Sequence, residues 1–310
     1  MKVLPKLGFM LIGWDASEEN LDVWFHRTGQ YIMEPKVDDI RMMLFFLNGS
    51  VRVQTRAYTE KSLNYPHLQE FYDKSLEGTV LDGGLLAGVN RFSVHRLHKS
   101  NFPLMISING SLPDRAIAIQ EKYGKARYVA WDILMYRGRP TVKLPFEARR
   151  ELLEKVGSVS GVTVIKQWSR QYGSLYAQII EDGGEGVVLK KRSSVYTFGR
   201  SENWVRFKHF EDANLILTGN STEGLGKYSV LVGSIEVADP AEPKKPLTTV
   251  SGMTDVVRSL ITATSNGKPV LKSEFKGRRI LIRYNPWRGA EGAAGFRHPR
   301  ILHIEGLEGI

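Results

Sequence analysis

The sequence predicts an α+β protein in two parts: antiparallel sheets with flanking helices over residues 1–210, and a small β-barrel over residues 211–310. In the first part, hairpin signals such as Asn48-Gly49 between two apolar runs alternate with helical patterns such as residues 145–157. The composition changes near residue 211, and short strands with turns then surround one helix at about 254–263. About 100 residues of this kind suit a small barrel.

The other expected elements follow from periodicity and from glycine or proline at their ends. Residues 79–86 suggest a strand, a tight turn at Asp82-Gly83-Gly84 and a second strand. Helices are expected at 67–77, 113–123 and 175–180, and strands at 31–33, 42–47, 51–55, 128–136, 162–165, 185–190 and 204–208. The second part is expected to contain strands at 215–218, 228–237, 279–284 and 301–304, with a loop at 238–246.

The composition excludes several classes of protein. The chain has 310 residues and no cysteine, which rules out disulfides, zinc fingers and cysteine nucleophiles. No apolar run approaches the ~18 residues that a membrane span needs, and residues 1–10 lack the apolar core of a signal peptide. We therefore expect an intracellular, soluble protein with no membrane partner. The net charge of +10 favours a polyanionic partner such as nucleic acid.

One lysine lies between two carboxylates: Lys36 follows Glu34 and precedes Asp38. It is either a salt-bridged edge residue or a nucleophile, and the pattern alone is common by chance. Two later pairs make the set more specific. A strand opens with Glu185 and closes with Lys190, and the next strand has basic residues at 206 and 208, which share a face.

This ordered set resembles the covalent nucleotidyltransferases, and within them the ATP-dependent DNA ligases. The family's Lys-x-Asp-Gly-x-Arg is matched by Lys36, Asp38 and Arg41, and its Glu-Gly-Val-Val-x-Lys by residues 185–190. Three motifs lie between these two and are matched by Thr55-Arg56, Leu81-Asp82-Gly83 and Trp131-Asp132-Ile133-Leu134. A later motif is matched by Tyr196, Gly199, Arg200, Ser201, Trp204 and Lys208, with Arg206 in place of a lysine. The last motif is matched by Arg297-His298-Pro299-Arg300. The resemblance covers about residues 34–300.

The resemblance implies an ATP-grasp-like nucleotidyltransferase domain over 1–210 and an OB-fold domain over 211–310. It implies sealing of 5′-phosphate/3′-hydroxyl nicks in duplex DNA through a lysyl-AMP on Lys36 and an AMP-capped DNA, in repair, replication or recombination. A free lysine has a pKa of ~10.4, so nearby cations must favour the neutral amine. Lys190, Lys208, Arg206 and bound Mg²⁺ or Mn²⁺ are the candidates.

The resemblance also implies roles for other side chains. Glu34 would lie at the adenine edge and Trp131 would stack on adenine, a core tryptophan being the alternative. The remaining ATP- or AMP-binding candidates are Arg41, Arg56, Glu185, Lys190, Arg206 and Lys208, with surface arginine as the alternative for the first two. Metal-binding candidates are Asp38 and Glu185, with Asp39 and Asp82 as further ones. DNA-binding candidates are Arg200, Arg297 and Arg300, with nicked duplex DNA as the partner of a monomer.

The sequence departs from the family in two places. Asp39 replaces a glycine and Gly84 replaces a glutamate, which conserves the number of carboxylates. We therefore expect Asp39 to occupy the space left at Gly84 and to take over part of its metal or ribose role; the alternative is a partial loss of activity. At the C-terminus, Glu305 lies where the family has an arginine that orients pyrophosphate. The arginines that could substitute for it are Arg278, Arg279, Arg283 and Arg297.

Other functions share parts of this pattern. An RNA ligase or a guanylyltransferase would use the same lysine, and a nick-binding protein could keep the fold without self-adenylation. The spacing from Tyr196 to Trp204 and the Arg297–Arg300 run favour a DNA ligase. Because only about 35 residues precede Lys36, we expect no large N-terminal DNA-binding domain. The two domains would then clamp the duplex themselves, with a hinge near 209–213 and help from the loop around 238–250.

Overall fold

The computed structural model describes residues 3–16, 21–27, 29–88, 101–288 and 294–307. The chain divides into two compact units, Met1–Lys208 and His209–Ile310. Within the described ranges, no helix has the length and apolar character needed to cross a membrane.

The first unit contains β1 (Met10–Ala16), α1 (Leu21–Phe25), β2 (Tyr31–Pro35), β3 (Ile40–Leu47), β4 (Ser50–Thr55), β5 (Val80–Leu86), α2 (Phe102–Gly110), α3 (Pro113–Tyr123), β6 (Arg127–Tyr136), β7 (Arg139–Pro140), α4 (Phe146–Ser160), β8 (Thr163–Val164), α5 (Tyr172–Glu181), β9 (Gly186–Lys191) and β10 (Gly199–Lys208). The second unit contains β11 (Glu211–Glu223), β12 (Val232–Ala238), β13 (Pro246–Val250), α6 (Asp255–Ile261), β14 (Thr262–Ser265), β15 (Lys268–Leu271), β16 (Arg279–Arg288) and β17 (Ala294–Ile304).

The first unit is built from two sheets. One has the strand order β1-β10-β9-β2, in which β1 and β10 are parallel, and the other has the order β4-β3-β5-β6-β7, with β8 parallel to β6. Alternation along β3 buries both of its faces: Met42 and Leu44 pack in a core with α2, α3 and α4, whereas Met43 and Phe45 pack with residues of the first sheet. The far face of the first sheet packs on α1 and α5. The unit is therefore layered as helices, sheet, sheet and helices.

The strongest local prediction is confirmed. Asn48 and Gly49 join β3 to β4 with φ values of 55° and 76°, as a two-residue hairpin turn requires. The helix predicted at 113–123 is α3, and those predicted at 145–157 and 175–180 lie within or overlap α4 and α5.

The tight turn predicted at Asp82-Gly83-Gly84 is wrong, because β5 runs straight through it. The two glycines mark close approach instead. A Cβ on Gly83 would lie 2.4 Å from the carbonyl oxygen of Val129, and one on Gly84 would lie 2.1 Å from Oδ2 of Asp39.

The helix predicted at 67–77 is also wrong. The chain forms two short 3₁₀ stretches there, Pro66–Phe71 and Lys74–Leu76, with Tyr72 extended at φ −66° and ψ 125° between them. The carboxylate of Asp73 accepts a hydrogen bond from the backbone N–H of Ser75, so a new turn starts rather than a continuous helix.

The second unit has one sheet with the order β13-β12-β11-β16-β17 and a separate hairpin, β14-β15. Strand β13 and this hairpin were not predicted. A single parallel bridge joins Gly252, just after β13, to Arg300 in β17, and the N–H of Ile301 donates to the Gly252 oxygen at 2.7 Å. The core of this unit is aliphatic and is completed by Phe275.

A buried ion pair ties β6 to α4. Arg149 and Asp132 have no exposed side-chain surface, and the guanidinium donates to both carboxylate oxygens at 2.7 and 2.9 Å. The Nη1 of Arg149 also donates to the carbonyl oxygens of Leu144 and Ser194. The guanidinium thus orders three segments around the strand that carries Trp131.

We expect Arg149→Met to lower the free energy of unfolding by about 3–5 kcal/mol, because it leaves a buried carboxylate without its partner. Arg192→Met is the matched control. Arg192 pairs with Glu147 near the surface, with side-chain exposures of 25% and 52%, and its loss should cost about 0–1 kcal/mol. Urea unfolding followed by tryptophan fluorescence measures both. Equal losses in the two variants would contradict the argument from burial.

Candidate active site

Lys36 lies where the chain passes from one sheet to the other. Strand β2 belongs to the first sheet and β3 to the second, and residues 36–39 connect them. The backbone N–H of Lys36 donates to the oxygen of Gly186 at 2.9 Å. Gly186 has φ +143°, and a Cβ there would lie 1.9 Å from the oxygen of Phe207. Only glycine lets these backbones meet, and this brings Glu185 beside Lys36.

Glu185 is held between two lysines. The Nζ of Lys36 lies 2.5 Å from one carboxylate oxygen, and the Nζ of Lys208 lies 2.6 Å from the other. The side chain of Glu185 is only 9% exposed. Burial alone would raise the pKa of Glu185, but Lys36 and then Lys208 more than offset this and lower it to about 2. Glu185 is therefore an ionised anchor for the amine, not a proton acceptor at neutral pH.

A second buried ion pair lies two residues before Lys36. The Nζ of Lys190 is 2.7 Å from Oε2 of Glu34, with side-chain exposures of 2% and 3%. Lys190 also donates to the carbonyl oxygen of Trp131 and lies 4.2 Å from the ring centroid of Trp204. Burial lowers the pKa of Lys190, and Glu34 opposes that shift.

Sequence reasoning missed Gln167. Its Nε2 donates to Oε1 of Glu34 at 2.6 Å, so both oxygens of that carboxylate are held. Gln167 is positioned because the next residue, Trp168, exchanges two backbone hydrogen bonds with Met33 of β2. No local motif marks this glutamine, since its partner is far away in the chain.

A cavity lined by residues of both sheets collects Lys36 and half of the eight predicted nucleotide-binding residues. Lys36 and both members of the Glu34–Lys190 pair line it. Its lining comprises Ile12, Glu34, Pro35, Lys36, Val37, Asp39, Arg41, Trp131, Ile165, Val188, Lys190 and Trp204.

Arg41 is fixed by Asp82. The guanidinium donates to both carboxylate oxygens at 2.9 and 2.6 Å, and the hydroxyl of Tyr196 donates to one of them at 2.7 Å. Burial alone would lower the pKa of Arg41, and the contact with Asp82 raises it overall. The carboxylate of Asp82 is fully buried and both of its oxygens accept from these donors, and its predicted role as a metal ligand stays a prediction.

Asp39 occupies the space beside Gly84, as the sequence predicted. Residues 41 and 84 are paired neighbours in β3 and β5, and Asp39 precedes that pair at the cavity wall. Burial raises the pKa of Asp39 to about 7, although Lys36 and Arg41 oppose the shift.

Other predicted residues lie outside the cavity lining. Arg56 is in the exposed turn after β4. Arg206 lies opposite Val188 of β9 and, by alternation, on the same face of β10 as Lys208. Asp38 is near enough to Asp39 to raise its pKa.

The predicted DNA contacts lie on two different units. Arg200 is exposed on β10, and its Nη1 is 3.5 Å from the oxygen of Ile12. Arg297 and Arg300 lie on β17 of the second unit, where the guanidinium of Arg300 stacks 5.1 Å from the ring of Phe210.

The four arginines that could replace the family's pyrophosphate-orienting arginine all lie in the second unit. Arg283 forms a bidentate pair with Asp212, and Arg278 donates to the carbonyl oxygen of Glu305. The carboxylate of Glu305 accepts from the backbone N–H of Arg279, so Glu305 has a structural contact of its own.

The described residues contain no group of three or more His, Cys, Asp or Glu side chains able to hold a metal ion. Mg²⁺ usually needs only one or two carboxylates, completed by water and phosphate oxygens. Glu185 and Asp38 fit that smaller requirement by their chemistry.

Comparison with known proteins identifies the family. The model for the "ATP dependent DNA ligase domain" matches residues 18–208. The multifunctional non-homologous end joining protein LigD of Mycobacterium bovis is 26% identical over 216 residues, which is 69% of this chain and 26% of that protein. The DNA ligase of Methanosphaera stadtmanae is 26% identical over 271 residues, which is 81% of this chain and 46% of that protein. The chain thus spans about a quarter to a half of the length of these curated relatives.

Solved structures show the same fold. A Lig E DNA ligase, described as binding DNA with a minimal scaffold, has a TM-score of 0.66 at 19% identity and covers 96% of this chain and 99% of its own. The ligase domain of Mycobacterium tuberculosis LigD has a TM-score of 0.50 at 21% identity and covers 89% and 90%. The chain thus has the fold of these ligases, and it belongs to the ATP-dependent DNA ligase domain family.

Proposed function

We propose that this protein is an ATP-dependent DNA ligase that seals nicks in duplex DNA. The observation that carries the proposal is the contact between the Nζ of Lys36 and the carboxylate of Glu185, at the wall of a cavity that also holds Arg41, Trp131 and Lys190. A surface salt bridge would not place the amine beside such a cavity.

In the first step, the Nζ of Lys36 attacks the α-phosphorus of ATP. A phosphorus–nitrogen bond forms, the bond to the bridging oxygen breaks, and pyrophosphate leaves while the amine proton passes to solvent. Glu185 fixes the amine within reach, and Lys208 and Arg206 lie on the adjacent strand face where they offset negative charge on the phosphates.

Glu34, which lines the same cavity, is the residue proposed to bind the base. Lys190 and Gln167 each hold one oxygen of its carboxylate. The orientation of the lone pairs that remain free to accept a hydrogen bond is therefore fixed. An adenine amino group can donate a hydrogen bond to a carboxylate there. Trp131 offers a flat apolar face for stacking.

Two further transfers complete the reaction. The DNA 5′-phosphate attacks the lysyl-bound phosphorus, which breaks the phosphorus–nitrogen bond and gives AMP-capped DNA. The neighbouring 3′-hydroxyl then attacks the DNA phosphate and releases AMP. Arg41 and Arg56 are the guanidinium groups proposed to hold these phosphates.

Glu185 and Asp38 are the residues proposed to hold Mg²⁺. A bound Mg²⁺ would offset charge on the phosphates and compete with Lys36 and Lys208 for Glu185.

We propose that the second unit is an OB-fold. Three consecutive antiparallel strands, a helix after the third, and a parallel bridge from the end of the third strand to the fifth strand of the sheet support this proposal. We assign residues 1–210 to adenylation and 211–310 to this OB domain. Together with Arg200, the β17 arginines Arg297 and Arg300 would contact the phosphates of nicked DNA, with the protein acting as a monomer.

Incubation with ATP and Mg²⁺ should raise the mass of the protein by one AMP, and Lys36→Ala should abolish the increase because the attacking amine is gone. Lys125→Ala is the matched control, since Lys125 is an exposed lysine of the same unit. Intact-mass spectrometry measures the adduct. Labelling by GTP instead of ATP would indicate a guanylyltransferase and contradict the proposal.

The adenylated protein should then seal a nicked DNA duplex and not the matching nicked RNA duplex. Denaturing gel electrophoresis of a labelled strand measures joining. A protein that binds nicked DNA but gives neither adduct nor joining would be a binding protein, and the proposal would fail.

Arg200→Gln, Arg297→Gln and Arg300→Gln should each weaken binding to nicked DNA and reduce the slope of log affinity against log salt by about 1, because each removes a phosphate contact. Arg115→Gln, an exposed arginine on α3, should leave the slope unchanged. Fluorescence polarisation across a salt series gives the slopes. An unchanged slope in all three variants would remove these residues from the interface.

A further inference from the structure

Two exposed aromatic side chains lie next to the N-terminal segment that leads into β1. Tyr58 is 41% exposed and follows β4, and Phe198 is 52% exposed and precedes β10. The Nζ of Lys6 lies 5.9 Å from the centroid of the Tyr58 ring, and a Cβ on Gly8 would lie 3.1 Å from the Phe198 ring. Because two residues span at most about 7 Å, the segment brings the two rings to neighbouring parts of the surface.

Exposed cations accompany both rings. Arg56 precedes Tyr58 by two residues in the same turn, and Arg200 follows Phe198 by two. Lys6 adds a third exposed cation between them. We refer to the five residues as the aromatic–cation surface, which comprises Lys6, Arg56, Tyr58, Phe198 and Arg200.

The nearby acids do not cancel this charge. Of the acids that lie two residues beyond the turn and the strand start, Glu60 is paired with Arg52 and Glu202 is exposed. The three cations outnumber them, so the surface attracts a polyanion.

The backbone of Tyr58 is unusual for a large side chain. Its φ is +62°, in the left-handed region that bulky residues rarely adopt. The N–H of Tyr58 donates to the oxygen of Thr55 at 2.9 Å, and the N–H of Thr55 donates to the oxygen of Thr59, which fixes the turn in this form. Glycine or asparagine would fit the turn at a lower steric cost. A strained residue held in place by its surroundings points to a function for its side chain.

The aromatic–cation surface adjoins the nucleotide cavity. The Nη1 of Arg200 is 3.5 Å from the oxygen of Ile12, which lines that cavity. The turn that carries Tyr58 begins at Thr55, which pairs with Met42, the residue after Arg41 of the cavity wall. A DNA strand bound at this surface would therefore run close to the site of reaction.

The chemistry of the surface distinguishes unpaired DNA from a duplex. The outside of a duplex presents phosphates and sugars, and the flat faces of its bases are covered by their neighbours. An exposed aromatic ring can stack on a base only where that face is open, and cations beside the ring can hold the phosphates of the same strand. Two rings interleaved with cations therefore fit a single strand.

We infer that the aromatic–cation surface binds unpaired nucleotides at a DNA break, with Tyr58 and Phe198 stacked on bases. This inference rests on the proposed function, because it extends the DNA substrate from a nick to a break that has a single-stranded stretch.

The test is fluorescence polarisation of the full chain with a short single strand, the same strand made of abasic sites, and a blunt duplex of equal length. Wild type should bind the base-bearing strand at least about fivefold more tightly than the abasic one. Tyr58→Asn and Phe198→Ala should each weaken binding of the base-bearing strand about 5- to 150-fold, as expected for one lost stacking contact. Both variants should bind the abasic strand and the blunt duplex as wild type does.

Tyr123→Ala is the matched control. Tyr123 is an exposed aromatic residue at the end of α3, and the Nζ of Lys122 lies 4.9 Å from its ring centroid. This variant should match wild type with all three probes, because it removes an aromatic ring beside a lysine outside the aromatic–cation surface.

Urea unfolding of Tyr58→Asn guards against misfolding. The variant should unfold at a higher urea concentration than wild type, because asparagine tolerates the left-handed backbone better than tyrosine. Higher stability together with weaker binding would show that the side chain is kept for binding. A lower midpoint would show that Tyr58 is kept for packing and would contradict the inference.

Two binding results would also overturn the inference. One is an equal loss for the base-bearing and abasic strands, and the other is unchanged affinity in both ring variants. Formation of the AMP adduct with ATP should be the same in wild type and both variants. A wild type that formed no adduct would instead contradict the proposed function, so the two failures are distinguishable.

Discussion

The site depends on one carboxylate held between two ammonium groups. Glu185 reaches Lys36 and Lys208 at once because Gly186 lets the chain turn where a Cβ would strike the backbone of Phe207. The same glycine accepts the N–H of Lys36, so backbone and side chain fix the amine together. Without Gly186, the connection between the two sheets could not bring the amine to the cavity.

The buried charges around the cavity serve orientation more than stability. Removing ions from water costs several kcal/mol each, and a paired set only recovers that cost. Yet the unit contains three such pairs: Glu34 with Lys190, Asp82 with Arg41, and Asp132 with Arg149. Each pair fixes a side chain or strand at the cavity wall, and groups held in place need little reorganisation during reaction.

The sequence predicted correctly those turns and helix ends whose structure depends on a few neighbouring residues. The turn at Asn48-Gly49 and the ends of α3 follow from backbone preferences of a few residues. By contrast, the glycines at 83 and 84 were interpreted as a turn because their true reason, contact with Val129 and Asp39, is distant in sequence. Gln167 was missed for the same reason. Asn266-Gly267 carries the same hairpin signal as Asn48-Gly49, with φ of 50° and 75°, so β14-β15 could have been predicted.

Under the proposed function, ATP must displace a carboxylate from a lysine when it binds. Lys36 and Lys208 share Glu185, and Lys190 is paired with Glu34, so each of these lysines already has a carboxylate partner. The Lys190 pair is almost fully buried and has two further contacts, which makes it the fixed end. The Glu185 pairs are partly exposed, so the phosphates can exchange for Glu185 there at lower cost. The ion pairs that can open therefore lie at Glu185, beside the amine of Lys36, and not at Glu34.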